Sequence, residues 1–164
     1  IAMCNKYFEG NVPAYNGCKN EVDEELEQFS KNVTEKFEKL FENYEIANSL
    51  QEIWTLVSRT NKYVDETAPW VLAKEENKEK LEACIYHLIE NLRRIAILIS
   101  PFMESTSKKI FDELGINNSE LKTWESLENY DKIKDTKVIS KGEPLFMRLN
   151  AEEEIEFIKS KMKN

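Results

Sequence analysis

The sequence predicts an all-α protein, and three observations carry that prediction. Apolar residues recur at spacings of three and four through residues 20–41, 43–64 and 80–100, the period of one helix face. Four glycines and four prolines in 164 residues leave few places for turns, which favours a few long helices over many short strands. Hydrophobic content of 41% beside 33% charged residues suits a folded globular chain. By size it is one domain, long enough to bury a sizeable core.

Residues 1–8 read as the last turns of a helix, ended by the breaker cluster Glu9-Gly10-Asn11-Val12-Pro13. A loop runs on to about Lys19, with Asn16-Gly17 as its turn signal. Asn20 is a good N-cap for a second helix, and Glu21, Asp23 and Glu24 suit its positive end. Val22, Leu26, Phe29, Val33, Phe37, Leu40 and Phe41 make its apolar face, and Lys36 and Lys39 suit its C-terminal end. Asn43 can cap a third helix with the inward row Ile46, Leu50, Ile53, Trp54, Val57 and Val64. Asn61 falls on that row. An unsatisfied buried amide costs about 1–3 kcal/mol, so Asn61 needs partners. Either it bonds free backbone at the corner that follows, or it helps to place Trp70 for a ligand.

The corner is Thr67-Ala68-Pro69-Trp70. A residue before proline is pushed out of the α region, so the third helix should end near Thr67 or Ala68. Proline suits the first position of a new helix, which puts Trp70 in the first turn of a short helix over 69–75. Backbone N–H groups there lack intrahelical partners, so a flat ring stands beside free donors. That combination suits a nucleobase or a phosphate. The alternative is that Trp70 is a core plug pinning the corner.

A polar link, Glu75-Glu76-Asn77-Lys78, leads to a further long helix with a wide apolar stripe from Leu81 to Ile99, expected at the centre of the bundle. His87 is the only histidine, and no Cys, Asp or Glu pairing along the chain marks it as a ligand or half of a dyad, so a surface or packed role is expected. Arg93 and Arg94 are adjacent and point in different directions, so at most one should face any groove. Ser100 and Pro101 read as N-cap and N1 of a helix from Phe102 to Leu114, stopped by Gly115. Beyond it come a turn at 117–119, a short helix with Leu121, Trp124 and Leu127, and polar residues over 128–143. Lys141 to Leu149 is expected to be extended because of Pro144. Asn150 should cap a last helix, from Ala151 to Met162, with Ile155 and Ile158 facing in. The division expected is a bundle over 1–115 and a C-terminal extension over 116–164.

The net charge of −8 argues against a broad nucleic-acid surface, so any RNA contact is local, with bulk affinity supplied elsewhere. Cys4, Cys18 and Cys84 form no CxxC pair, which supports neither a zinc site nor a redox motif and fits a reducing compartment. No apolar run approaches a membrane span, and no stretch of these residues reads as a signal peptide. The chain opens on Ile1 inside an apparent helix, and it reads as a piece of a longer protein.

Four segments carry a family resemblance. Asn61-Lys62-Tyr63-Val64-Asp65-Glu66-Thr67-Ala68-Pro69-Trp70-Val71-Leu72-Ala73-Lys74 resembles a signature of the anticodon-binding domain of bacterial methionyl-tRNA synthetases. Residues 1–8 resemble the end of that domain's first helix, residues 92–103 its later helix joint, and residues 141–149 the segment that returns toward the catalytic body. The match spans nearly the whole chain. It departs at Glu104 and Met147, where the family usually has proline.

The resemblance implies an all-α anticodon-binding bundle of the class I synthetases, with a returning segment and a last helix. It implies a parent enzyme that joins methionine to its tRNA using ATP, with zinc a further candidate in the parent's catalytic region. This chain would hold no catalytic residue, metal or cofactor and would be inactive alone. Its partners would be methionine tRNA and the catalytic domain of the same chain. It would be a cytoplasmic monomer off the membrane, reading the CAU anticodon on unstacked bases. Trp70 would lie under an anticodon base, with Pro69 and Asp65 shaping or flanking the site. The family's other anticodon residues, an Asn and an Arg, would fall upstream of Ile1. The synthetase catalytic signatures are absent: His87-Leu88-Ile89-Glu90 lacks the glycine of a His-Ile-Gly-His sequence, Lys161-Met162-Lys163 is no Lys-Met-Ser-Lys-Ser loop, and no Gly-rich phosphate loop occurs. Two rivals stand beside this reading: the equivalent domain of another class I enzyme, such as the valyl or cysteinyl one, and a helical interaction module with no RNA role.

Overall fold

Asn20 opens the first long helix as its side chain predicts. Its Oδ1 accepts the Asp23 N–H at 2.9 Å, and α2 runs Glu21–Glu42. The computed structural model describes residues 1–146 and 149–162. Along them lie α1 (Ala2–Phe8), α2, α3 (Ile46–Thr67), α4 (Pro69–Lys74), α5 (Lys78–Ile99), α6 (Glu104–Leu114), 3-10 turns at Ser119–Lys122 and Glu125–Leu127, and α7 (Ala151–Met162). No strand ladder forms among the described residues; the one bridge pairs Asn11 with Lys137. The all-α prediction holds. No helix among the described residues is long and apolar enough to cross a membrane.

α5 is the axis. From Ala83 to Ile99 every residue except Leu92 is buried, so the helix has no solvent face over that stretch. α2, α3, α4 and α6 all pack on it, and α2 packs along α3. Leu26, Val33 and Phe37 of α2 and Ile53, Leu56 and Tyr63 of α3 close the core on one side, and Ile110, Phe111 and Leu114 of α6 close another.

Several boundaries and faces differ from expectation. Asn43 ends α2 rather than capping α3, whose N-cap is Glu45. The buried row of α3 is Ser49, Ile53, Leu56, Thr60 and Tyr63; of the expected row, Leu50, Val57 and Val64 pack partly buried against the core, while Ile46 and Trp54 are exposed. Ser49 and Thr60 can point inward because their hydroxyls donate to the Ile46 and Leu56 carbonyls of the same helix. Ser100 does not start α6. Its backbone is still helical, and the N–H groups of Phe102 and Met103 both bond Ile99 O, closing a turn before Glu104 begins the helix.

Residues 128–143 read as polar, yet Tyr130, Ile133, Thr136 and Val138 are buried. They lie beside Gly115, whose φ is +70°, and a Cβ there would stand 1.9 Å from Lys137 O, so only glycine lets the two backbones meet. Past them, residues 141–146 are irregular and are tied to α6 by Lys109 Nζ donating to Pro144 O at 3.0 Å and the Glu143 N–H to Glu113 at 3.0 Å. Met147 and Arg148 lie outside the described residues. Ile155 and Ile158 were expected to face in; they are 50% and 53% exposed, and α7 buries none of its residues.

Candidate nucleic-acid interface

α3 stops because Pro69 follows. Ala68 turns into the left-handed region, φ 41° and ψ 63°, and Pro69 takes the first position of α4. Pro69 is buried and anchors the corner, while Trp70, next in the chain, is 45% exposed. A core plug would be covered more fully than this ring is. The donor half of the expectation shrinks: the N–H groups of Val71 and Leu72 both bond Ala68 O, at 2.7 and 3.3 Å. The corner therefore offers an aromatic ring more than a ring of free amides.

Beneath it the support is buried. Tyr63 OH donates to Asp23 Oδ1 at 2.6 Å, and Asp23 Oδ2 accepts the Lys19 N–H at 2.8 Å. Burial first, then the neighbouring Cys84 thiol and the Asp23 bond, push the Tyr63 pKa up, so the hydroxyl stays a donor. Thr67 Oγ1 donates to Tyr63 O at 2.7 Å and lies 3.2 Å from Cys84 Sγ on α5. The last turn of α3 is thus pinned to both neighbouring helices.

Asn61 and Asp65 are exposed on α3. With Trp54 and Ser58 they follow one another at spacings of four, three and four, one outward stripe leading up to the corner. Asn61 is therefore not on an inward row, and among the described residues no hydrogen bond joins its side chain to the corner's backbone. It lies instead at an apolar cleft of about 170 Å³ with Ile1, Met3, Val64 and Leu92. On a neighbouring face, Arg59 is held by Glu66 at 2.8 Å and Glu25 at 3.3 Å, and Lys62 pairs with Glu66 at 3.0 Å. Lys62 holds the exposed Glu66 carboxyl below the usual range despite some desolvation, with Arg59 helping.

The family profile described as the anticodon binding domain of methionyl tRNA ligase matches residues 12–162. The chain belongs to that family. It is 50% identical over 163 residues to a methionine–tRNA ligase of Bacillus subtilis, covering 99% of this chain and 24% of the relative. It is 46% identical over 165 residues to one of Listeria innocua, covering 99% and 25%. The chain thus spans about a quarter of these relatives. A solved structure of Mycobacterium tuberculosis methionyl-tRNA synthetase in complex with methionyl-adenylate superposes with a TM-score of 0.78 at 25% identity, over 90% of this chain and 29% of that one.

Within this anticodon-binding domain, two polar groups sit where sequence reasoning did not place them. Arg93 and Arg94 are both fully buried, and only Arg94 borders a cleft, with Lys31, Glu35, Glu38 and Trp124. Arg93 forks onto Glu90 at 2.6 and 2.8 Å and also bonds Leu121 O, Ser126 Oγ and Ser126 O. Arg94 Nε donates to Ser30 Oγ at 2.7 Å, and its guanidinium lies 4.7 Å from the centre of the Tyr130 ring. His87 is not isolated either. It is buried, with Nε2 2.9 Å from Glu27 Oε1 and 3.9 Å from Cys18 Sγ. Burial alone would lower its pKa, but the Glu27 and Ala83 bonds prevail and raise it. Glu27 moves the other way: burial opposes, and bonds from His87 and Tyr15 bring it down. No local pattern could have revealed this pair, because its members lie 60 positions apart.

Proposed function

We propose that the Pro69–Trp70 corner receives an unstacked base of the CAU anticodon of methionine tRNA. The observation that carries this is the exposed Trp70 ring beside buried Pro69. A splayed base offers a π-face for stacking and an open edge for hydrogen bonds. Asp65, on the stripe that leads to the corner, flanks the base, and Asn61 stands one turn earlier. Arg59, Lys62 and Glu66 neighbour it without making a strongly basic field, which fits contact that is local rather than electrostatic at long range.

In this reading the chain, itself monomeric, is the tRNA-reading part, its bundle over 1–115 and its extension over 116–164, of a cytoplasmic enzyme. That enzyme joins methionine to its tRNA. ATP would be used by a catalytic domain of the same polypeptide, with zinc a further candidate there, and the exposed apolar side of α7 fits contact with that domain.

The test uses the full-length enzyme. Trp70→Ala should lower the kcat/KM for methionine tRNA by about tenfold to a hundredfold, as base–aromatic stacking of 1–3 kcal/mol requires. Methionine-dependent ATP–pyrophosphate exchange should stay within about twofold, since it would depend on another domain. Unchanged use of the tRNA by a folded variant would sink the stacking role.

A further inference from the structure

The sequence holds no zinc-finger spacing, yet the fold gathers three metal-capable side chains from three elements. Cys18 comes from the loop over 9–20, Glu27 from α2 and His87 from α5. Their donor atoms all lie within 4.8 Å of one another. We propose that Cys18, Glu27 and His87 form a binding site for a divalent cation of the zinc class, pinning that loop to α2 and α5.

The orientation of His87 is the first argument. Its Nδ1 lies 2.7 Å from Ala83 O. A carbonyl can only accept, so Nδ1 carries the proton and Nε2 faces the cluster. Metal-binding histidines are held in this way, with the remote ring nitrogen donating to a carbonyl. Nε2 then stands 2.9 Å from a carboxylate oxygen. Two lone pairs do not face each other at that distance, so a positive species lies between them. A proton fills the place in the metal-free chain, and a cation bonded to both atoms would replace it.

The donor set selects the ion. Thiolate, imidazole and carboxylate together suit zinc and disfavour magnesium and calcium, which take oxygen ligands. Asp23 is close but spoken for, since both its oxygens accept hydrogen bonds from Tyr63 and Lys19. Tyr15 OH donates to Glu27 Oε1 at 2.9 Å and so orients the carboxylate from outside. Zinc bonds of about 2.0 Å to N and O and 2.3 Å to S put the ligands of a tetrahedral site about 3.3–3.5 Å apart. From the present 2.9 and 3.9 Å, each contact shifts by about 0.4 Å, within reach of side-chain adjustment. Cys18 is only partly buried, and open space surrounds the preceding Gly17. Binding releases two protons, one from the Cys18 thiol and one from between His87 and Glu27. The ion's two positive charges then meet one thiolate and one carboxylate. Both of those side chains are partly exposed, leaving a fourth position for water.

The test is cobalt substitution in the purified 164-residue chain after stripping with a chelator. The expected result is a thiolate-to-cobalt absorption band that saturates at one equivalent, is abolished by excess zinc and is lost in Cys18→Ser. Glu27→Gln, which keeps the side chain's shape, should weaken cobalt binding by about tenfold or more. Circular dichroism checks that both variants are folded; if Cys18→Ser is not, Glu27→Gln decides. No thiolate band in the wild type, a band that persists in folded Cys18→Ser, or unchanged affinity in Glu27→Gln overturns the site.

Discussion

The middle of α5 hides two guanidinium groups and a carboxylate, whereas the corner between α3 and α4 leaves a tryptophan ring 45% exposed. Ordinary preference runs the other way, with arginine at the surface and tryptophan mostly covered. What differs is satisfaction. Arg93 makes five hydrogen bonds, onto Glu90, Leu121 O and Ser126, so its charge is compensated where it lies. Trp70 sits one residue past a buried proline, in the first turn of a short helix. In this domain, then, Arg93 is a tie inside the fold, and the aromatic ring of the corner stays at the surface.

The largest effect expected on that contrast is in the buried half. Arg93→Ala removes both short hydrogen bonds to Glu90, leaving it only Arg94 at 3.6 Å, strips the Ser126 turn of its partner, and should cost about 3–5 kcal/mol, read by denaturant unfolding of the chain. Arg93→Met should cost more than Arg94→Met, because among the described residues the terminal nitrogens of Arg94 have no hydrogen-bond partner and only a 3.6 Å ion pair with Glu90, while those of Arg93 are fully engaged. Equal losses would mean that shape, not hydrogen bonding, holds the cluster.

At the corner the expectation reverses. Trp70→Ala should alter tRNA use by the full-length enzyme far more than it alters unfolding. A melting loss as deep as that of Arg93→Ala, with the anticodon preference unchanged, would falsify the contrast. Tyr63→Phe probes the support under the corner. It leaves Asp23 short of one donor in a buried place and should cost about 1–3 kcal/mol, with a smaller loss in tRNA use than Trp70→Ala. The smallest effect belongs to α7. Ile158→Ser changes an exposed side chain and should move the stability of the chain by no more than about 0.5 kcal/mol. A larger loss would show that α7 is packed in solution.

The long helices were legible because apolar periodicity and a good cap coincide, as at Asn20 and along Leu26, Val33 and Phe37. The Pro69 corner was legible because proline constrains its own backbone and that of the residue before it. Faces were harder to read. α3 buries Ser49 and Thr60 and exposes Trp54, since a hydroxyl can satisfy itself on its own helix and so pass as apolar. Residues 128–143 looked polar because every second or third side chain carries the packing while the others face water. The Glu90–Arg93–Arg94 cluster and the Cys18–Glu27–His87 group were out of reach for a different reason. Their stability depends on partners far along the chain, such as Ser30, Leu121 and Ser126, and no spacing rule encodes those.

Ala68 holds a conformation most chains give to glycine, at φ 41°, and the next residue is a proline whose φ is fixed by its ring. The two together leave the corner few alternative shapes, and the strain of about 1–2 kcal/mol at Ala68 is met by the packing of the folded domain. Ordering of the backbone is therefore complete before any partner arrives. A base that settles on Trp70 would lose its own freedom but cost the protein almost none. Association there would be limited by encounter rather than by rearrangement, and selectivity would show itself in how long each base stays.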